Sequence, residues 1–159
     1  MAERSVSPVH VAPDGGDTVF LVGDTYTTLL SGVQTDGTFT LLEALVPANT
    51  GPPPHIHHAE DETFMLLDGV LDFRVEHESH DARAGTVLFV PRGTAHHFRN
   101  VGDAPARMLF MYSPAGMEGM FAEIGTSGTR GVEAPPLAAA DVEAMARVAE
   151  KYRFSIVAG

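Results

Sequence analysis

Cysteine is absent from the 159-residue chain, and this absence restricts its chemistry more than any other feature of the composition. Without thiols the protein has no disulfide, no thiolate nucleophile and no thiolate metal ligand, so a metal site has to use His, Asp and Glu. Tryptophan is also missing, and Lys151 is the only lysine. Lys and Arg number 10 against 21 Asp and Glu, which gives a net charge of -11. We expect no nucleic-acid partner, because binding to phosphates needs clustered cations.

Long apolar runs are lacking as well. No apolar stretch approaches the roughly 20 residues that a membrane-spanning helix needs, and the first residues, MAERSVSPVHVAPDGG, lack a cationic start followed by an apolar segment. We therefore expect no membrane partner and a cytoplasmic location. The hydrophobic content of 44% is typical of a folded protein, and the length predicts one domain over residues 1–159.

Short runs rich in Val, Thr, Phe and Leu, separated by Gly, Pro and Asp, occupy the chain from about residue 18 to residue 113. The predicted strands cover residues 18–22, 25–31, 38–46, 62–67, 70–77, 86–90, 95–99 and 106–112. Asp68-Gly69 favours a tight turn, so the strands on either side of it form a predicted hairpin. Because no long helical pattern occurs before residue 114, the sequence favours an all-β sandwich or barrel over a parallel α/β sheet.

The rest of the chain, residues 114–159, is predicted as a helical extension of this barrel core at about 18–113. Apolar residues at helical spacing predict helices over 115–125 and 138–152, with a loop at 126–134 between them. We interpret the apolar stripe of the second helix as a packing face, not as a cofactor site. The tail, YRFSIVAG, is predicted to add a final strand or to cover a sheet edge.

Histidines are concentrated in the segment GPPPHIHHAEDETFMLLDG at residues 51–69. Side chains alternate in an extended segment, so His55 and His57 are expected to face the same side. Glu62 follows on the next predicted strand, and His96 lies on another strand that a barrel can bring beside the first. Three imidazoles and one carboxylate provide the donors of a divalent transition-metal site with open coordination positions.

Two aromatic residues share strand faces with these donors: Phe64 lies on the face of Glu62, and Phe98 lies on the face of His96. Both are candidates for the wall of a substrate pocket, with ordinary core packing as the alternative interpretation. The residues interpreted as solvated, or as supports for the ligand histidines, are His10, His58, His77, His80, His97, Glu60 and Asp61.

The spacing of the donors resembles two signatures of the cupin superfamily. The first signature, His-x-His, three or four residues, Glu, six residues and Gly, is matched by His55, His57, Glu62 and Gly69. The second, Gly, five residues, Pro-x-Gly, two residues, His, three residues and Asn, is matched by Gly85, Pro91, Gly93, His96 and Asn100. One departure concerns the Gly that begins the first signature: it would fall at Asn49, whereas the chain has Gly51.

The resemblance implies a cupin jelly roll, a double-stranded β-helix barrel, here with short C-terminal helices. One pair of signatures implies a single-domain monocupin, and the sequence looks most similar to bacterial quercetin 2,3-dioxygenase-like cupins. It further implies one divalent transition metal, which is Fe, Mn, Ni, Co, Cu or Zn, at His55, His57, Glu62 and His96. Family members commonly dimerise, and the apolar strands at 38–46 and 106–112 suit a homodimer face.

Our leading hypothesis is a metal-dependent, dioxygenase-type oxidoreductase that is similar to quercetinases. Its substrate would be a small enolic or aromatic metabolite, with dioxygen as the second substrate, and Glu62 would be catalytic either as a ligand or as a base. The alternatives are a metal-dependent isomerase, cyclase or lyase on the same donors, and a non-catalytic small-molecule-binding cupin. The choice among them rests on family analogy.

Overall fold

Antiparallel β-strands make up most of the regular structure in the computed structural model, which describes residues 6–158. The strands, in chain order, are β1 (Asp17–Leu21), β2 (Asp24–Leu30), β3 (Thr40–Val46), β4 (His55–His57), β5 (Asp61–Asp68), β6 (Val70–Val75), β7 (Glu78–Arg83), β8 (Val87–Val90), β9 (His96–Arg99), β10 (Ala106–Ser113), β11 (Thr126–Ser127) and β12 (Phe154–Ile156). The helices are α1 (Glu118–Ile124) and α2 (Ala139–Val148). The predicted all-β class with short C-terminal helices is confirmed. The ends of the predicted domain, residues 1–5 and 159, lie outside the described residues.

The strands form two sheets. The larger has the order β11-β1-β2-β3-β10-β5-β8, and the smaller has the order β12-β4-β9-β6-β7. Neighbouring strands are often distant in sequence, as in the antiparallel pairs of β3 with β10 and of β4 with β12, because the chain crosses repeatedly between the sheets. This arrangement is the predicted jelly roll.

Aromatic side chains join the two sheets across the core. The ring of Phe64 in β5 stacks on Phe110 of its own sheet, with the ring centroids 6.0 Å apart. It also contacts Phe73 and Phe98 of the smaller sheet, at centroid distances of 5.0 and 6.3 Å. Such ring pairs each stabilise a fold by about 0.5–1.5 kcal/mol beyond the burial of their area. The two sheets therefore pack face to face around an aromatic interior.

The hairpin predicted at Asp68-Gly69 joins β5 and β6. Gly69 has a φ of +84°, which is the left-handed region that favours glycine. A Cβ atom at this position would lie 2.8 Å from the Cα of Ala106, so the neighbouring strand also excludes a side chain. In β6, Leu71 is buried and Arg74 is exposed, which confirms the predicted alternation between a core face and a solvent face.

Three strands are not among those predicted: β4, whose residues are predicted only as an extended segment, β7 and β11. The sequence of β7, ESHDAR, buries only Ala82, and it forms the edge of the smaller sheet, where polar residues are usual. A strand of this kind lacks the apolar alternation on which the prediction depends. Strand β11 has two residues and pairs with β1, so the first two residues of the loop predicted at 126–134 form a strand instead.

The C-terminal tail adds a final strand, β12, which is one of the two arrangements predicted for it. Strand β12 pairs with β4, and this pairing places Phe154 opposite His57 and Ile156 opposite His55. The donor-bearing strand β4 has only three residues, and it lies between β12 and β9 in the sheet. The C-terminal tail therefore holds the histidine strand from one side.

The helices are shorter than the predicted ranges 115–125 and 138–152. Helix α1 buries Met120 and Phe121, and helix α2 buries Met145 and Val148 against the barrel. Across residues 6–158, none of the helices combines the length and apolar character needed to cross a membrane.

Candidate metal centre

The structure brings the four predicted donor residues together inside the barrel. One donor atom from each of His55, His57, Glu62 and His96 can be chosen so that all lie within 4.8 Å of one another, and all four residues are buried. His55 and His96 are directly paired residues of β4 and β9, whereas Glu62 approaches from β5 of the larger sheet. The donors thus come from both sheets, and their role as metal ligands stays a prediction.

Backbone carbonyl groups orient two of the imidazole rings. Nδ1 of His55 donates a hydrogen bond to the carbonyl oxygen of Pro53 at 2.8 Å, and Nδ1 of His96 donates to that of Thr94 at 2.9 Å. These bonds direct Nε2 of each ring towards the cluster. In metal sites the same bond from the second ring nitrogen fixes the tautomer and the orientation of the ligand.

His57 provides a direct test of whether a metal fits. The residue is 4% exposed, and neither ring nitrogen has a hydrogen-bond partner among the described residues. The carboxylate oxygen Oε2 of Glu62 lies 3.5 Å from its Nε2. A buried nitrogen without a partner is rare in native proteins, and coordination would satisfy it. Three imidazoles and a carboxylate are donors that suit the divalent ions of Fe, Mn, Ni, Co, Cu and Zn, so the residues fit such a metal.

Burial controls the protonation of this cluster. It lowers the pKa of His55 to about 3 and also lowers the pKa of His57, so both rings are neutral near pH 7. Burial alone would raise the pKa of Glu62, but the three neighbouring imidazoles outweigh it and lower the pKa to about 2. Oε2 of Glu62 lies 2.5 Å from Nε2 of His96, and this hydrogen bond raises the pKa of His96 although burial opposes it. The proton shared by this pair is the one that metal binding has to displace.

The turn that leads into β4 explains the departure from the cupin signature. Asn49 has a φ of +63°, a left-handed conformation that Asn adopts more readily than most residues, so it can stand where the family has Gly. At Gly51, a Cβ atom would lie 2.0 Å from the carbonyl oxygen of Phe98, and no side chain fits there. Asn100 is fully buried and donates its side-chain amide to the carbonyl oxygen of Val46 at 2.9 Å. These contacts hold the segment before β4 and the end of β3 against β9 and the residue that follows it.

A small cavity of about 40 Å³ lies beside the donors. It is lined by Leu21, Val22, Tyr26, Pro52, His55, His57, Glu62, Phe64, Phe98, Phe110, Tyr112, Met120, Phe121, Met145 and Phe154. Most of these side chains are apolar, and many are aromatic. A pocket of this type, with few polar groups at defined places, is typical of small-molecule sites.

Comparison with known proteins identifies the family. The cupin domain family matches residues 42–112, a range that contains all four donors. The tetracenomycin polyketide synthase protein TcmJ of Streptomyces glaucescens is 34% identical to the chain over 114 residues, which are 72% of this chain and 70% of TcmJ. The chain belongs to the cupin superfamily.

Two other similar proteins match a smaller part of this chain. The polyketide synthase protein CurC of Streptomyces cyaneus is 38% identical over 60 residues, so the match spans 38% of this chain and 39% of CurC. The solved structure of a predicted oxalate decarboxylase from Thermotoga maritima has a TM-score of 0.60 and 19% identity, and the match covers 68% of this cupin and 99% of that chain. At this identity the likeness shows the fold alone.

Phe64 and Phe98, the two candidate pocket residues of this cupin, both line the cavity. Tyr26 and Tyr112 line it as well, and neither is among the residues predicted from the sequence. Inward alternation along β10 places Tyr112 two residues after the buried Phe110, and this signal could have found it. Met145 belongs to the apolar stripe of α2, so this face packs on the barrel and also forms cavity wall.

The interpretation of Glu60 as a surface acid is wrong. Glu60 is 7% exposed, and its Oε2 has no hydrogen-bond partner in the part of the chain that the structure describes. The short connection between β4 and β5 buries it near Glu62, and burial together with the negative charge of Glu62 raises the pKa of Glu60 to about 7. Its neighbour Asp61 lies nearer the surface and accepts hydrogen bonds from Arg92.

A second buried acid of this cupin lies outside the donor cluster. Asp24 is fully buried at the start of β2, and it accepts hydrogen bonds from the hydroxyl groups of Tyr26 and Thr50, each at 3.0 Å. Burial raises the pKa of Asp24 from 3.8 to about 7, although both hydrogen bonds oppose the change. Near neutral pH this group therefore titrates.

The free energy of unfolding is expected to decrease as the pH rises towards 7 because of Asp24. A carboxyl whose pKa is higher in the folded state stabilises the fold fully below the unfolded value of 3.8, and this contribution is lost as the pH rises through about 7. The shift corresponds to about 4 kcal/mol. Urea unfolding between pH 4 and pH 8 measures it in the wild type and in Asp24→Asn. The variant should lack this part of the pH dependence. If the free energy of unfolding changes with pH equally in the two proteins, the raised pKa of Asp24 is contradicted.

Proposed function

We propose that this cupin is a metal-dependent enzyme that acts on a small aromatic or enolic metabolite of the polyketide type. The observation that carries the proposal is the buried set of three histidines and Glu62, which opens into a cavity walled by aromatic rings. Two relatives, TcmJ and CurC, are named as polyketide synthase proteins, and this supports the substrate class.

The histidines and the aromatic walls would bind the metal and the ligand, and Glu62 would take part in proton transfer. A metal held by His55, His57 and His96, with Glu62 as a further donor or as a base, would supply Lewis acidity that polarises a ligand oxygen and acidifies its hydroxyl proton. Glu62 is ionised and lies at the cavity wall, so it can accept such a proton. The aromatic walls bind the planar part of the ligand and exclude water, which strengthens electrostatic interactions at the donors.

We place cyclase, isomerase or lyase chemistry ahead of dioxygenation. A carboxylate beside three imidazoles is suited to moving a proton, and the names of both relatives point to polyketide assembly. Dioxygenation is the second candidate, because two histidines and a carboxylate with open positions also suit iron enzymes that use dioxygen.

An oxygen-electrode assay combined with mass spectrometry separates these reactions. The metal-loaded protein is incubated with a panel of flavonols and of partly cyclised polyketide intermediates, both in air and anaerobically. We expect product to form at the same rate without oxygen, with a mass that is unchanged or lower by water. Consumption of oxygen in proportion to product would establish the dioxygenase instead. No product from either group of compounds would contradict the proposed substrate class.

We also propose that the protein is a homodimer joined through the outer face of the larger sheet. Met65 in β5 and Val87 and Phe89 in β8 are exposed, and they continue the half-buried Leu109 and Met111 of β10. β8 is the edge strand of this sheet, so both its apolar face and its free edge are open to a second copy. An apolar patch that spans three neighbouring strands favours association.

Light scattering after size exclusion tests the dimer. The wild type should have twice the chain mass of 16.9 kDa, whereas Phe89→Glu should be monomeric, because the carboxylate would be buried without a partner. Val101→Glu is the matched control, since Val101 and Phe89 are both 58% exposed but Val101 lies in the loop after β9. If both variants remain dimeric, or if both dissociate equally, an interface at β8 is contradicted.

A further inference from the structure

The polar side chains of the cavity wall lie in two places. Among the lining residues that the structure describes, His55, His57 and Glu62 form one group, and Tyr26 and Tyr112 are the others. Tyr112 belongs beside the donor cluster, because it is paired with Glu62 across β10 and β5 and its ring lies 5.1 Å from that of His57. Tyr26 is therefore the polar residue that the donor cluster does not account for.

Tyr26 is set apart from the histidines by the aromatic wall. It lies on β2, which is separated from β10 by β3 in the larger sheet. Its ring contacts Phe110 and Phe121 edge-on, at centroid distances of 5.8 and 4.8 Å. The charge of Glu62 still contributes to raising the pKa of Tyr26, after burial and the nearby Asp24, so the phenol and the cluster share one interior.

Asp24 fixes the position of the Tyr26 hydroxyl. Oδ2 of Asp24 accepts the phenolic hydrogen at 3.0 Å, and Oδ1 accepts a hydrogen bond from the hydroxyl of Thr50 at 3.0 Å. No cation pairs with Asp24 within residues 6–158. A buried carboxyl without a cation is costly, and apolar residues of similar volume often replace buried charged groups with no loss of stability. The pair is thus better explained by binding than by stability.

We propose that Tyr26, held by Asp24, is a second polar anchor of the cavity, which binds a hydroxyl group of the ligand remote from the oxygen at the histidine cluster. The inference rests on the proposed function, in that the cavity binds an aromatic or enolic ligand. Because the hydrogen of the phenol is donated to Asp24, the oxygen of Tyr26 accepts a hydrogen bond from the ligand. The ligand therefore carries at least two oxygens, and a free hydroxyl at the second position binds better than a methoxy group or a hydrogen.

Matched probe ligands test this anchor without knowledge of the natural substrate. The zinc-loaded protein is titrated with 2,6-dihydroxynaphthalene, with 6-methoxy-2-naphthol and with 2-naphthol, which differ only at the second position. We expect the wild type to bind the dihydroxy compound about 3- to 10-fold more tightly than the other two, the effect of one hydrogen bond. In Tyr26→Phe this preference should disappear, while the affinity for 2-naphthol stays unchanged.

Four further variants separate the anchor from a structural role. Tyr152→Phe removes an exposed phenol that donates to Glu123, and it should keep the wild-type preference. Tyr112→Phe should also keep it, and loss of the preference there but not in Tyr26→Phe would overturn the proposal. Asp24→Asn retains an acceptor for the phenol and should keep most of the preference, whereas Asp24→Ala should lose it.

Fluorine NMR provides a second measurement in case the variants at Asp24 or Tyr26 fold poorly. The chain has three tyrosines, so 3-fluorotyrosine labelling gives three signals, which the Tyr→Phe variants assign. The signal of residue 26 should shift with the dihydroxy compound and not with 2-naphthol. Equal affinities of the wild type for the three compounds would overturn the anchor alone. Absence of binding by any of them would overturn the aromatic ligand class of the proposed function, and the anchor with it.

Discussion

Replacing His96 by alanine is expected to lower the affinity for divalent transition metals by more than about 100-fold, because the loss of a ligand should exceed the 10- to 100-fold effect of losing a residue that only supports one. His96 is 3% exposed, and its Nε2 points at Glu62 within the cluster. Alanine removes this donor and also leaves the charge of Glu62 without its closest partner. We expect His57→Ala to act in the same direction, since neither ring nitrogen of His57 has a hydrogen-bond partner within residues 6–158.

Elemental analysis after metal loading and dialysis measures this effect, together with competition against a chelator of known affinity. The wild type should retain about one metal per chain, and its thermal midpoint should rise when zinc is added, because a ligand that binds the folded state stabilises it. Neither effect should be seen in His96→Ala. Circular dichroism of the metal-free variant shows whether it is folded, and His96→Gln repeats the test with a side chain that fills more of the space.

His97→Ala is the matched control for His96→Ala. The two histidines are adjacent on β9, but alternation places His97 on the opposite face of the sheet, where it pairs in register with Arg74. We expect His97→Ala to keep the metal and the stabilisation by zinc. Full metal content in both His96→Ala and His57→Ala would contradict the metal centre, whereas equal losses in His96→Ala and His97→Ala would indicate an effect of folding.

The cluster could be located from the sequence because its geometry follows from local rules. Alternation along an extended strand places His55 and His57 on one face, and pairing of antiparallel strands then fixes their neighbours. The spacing to Glu62 and to His96 adds the resemblance to a known barrel. The orientation of the rings was not predictable, since it depends on the carbonyl groups of Pro53 and Thr94 in the folded turns.

Other features depend on contacts between distant segments, and the sequence carries no local signal for them. Asp24 comes directly before the predicted strand 25–31 and is a residue type common in turns, yet it is fully buried and accepts a hydrogen bond from the hydroxyl of Thr50. Glu60 reads as part of an acidic surface run, but the connection before β5 turns it inward. Met145 lines the cavity because α2 packs against the barrel core, which periodicity alone does not indicate.

Replacing Glu62 by glutamine is expected to lower turnover by roughly 10²–10⁴-fold while the protein retains its metal. Glutamine keeps the shape of the side chain and one acceptor oxygen, and the three histidines suffice for a catalytic site with open positions. What is lost is the negative charge and the ability to accept a proton. The neighbouring imidazoles lower the pKa of Glu62, so it is ionised near pH 7 and can accept the proton of a hydroxyl that a bound metal would acidify.

The rate is measured on the compound that the substrate panel identifies, with metal content determined on the same samples. Glu60→Gln is the matched control: Glu60 is equally an acid, is buried nearby and does not line the cavity, so its turnover should stay within a few-fold of the wild type. If Glu62 is instead a required ligand, metal content and turnover should decrease together in Glu62→Gln, and excess metal should restore both. Near-normal turnover by metal-replete Glu62→Gln would contradict the role of Glu62 as the base, because a glutamine amide cannot accept the proton that this role requires.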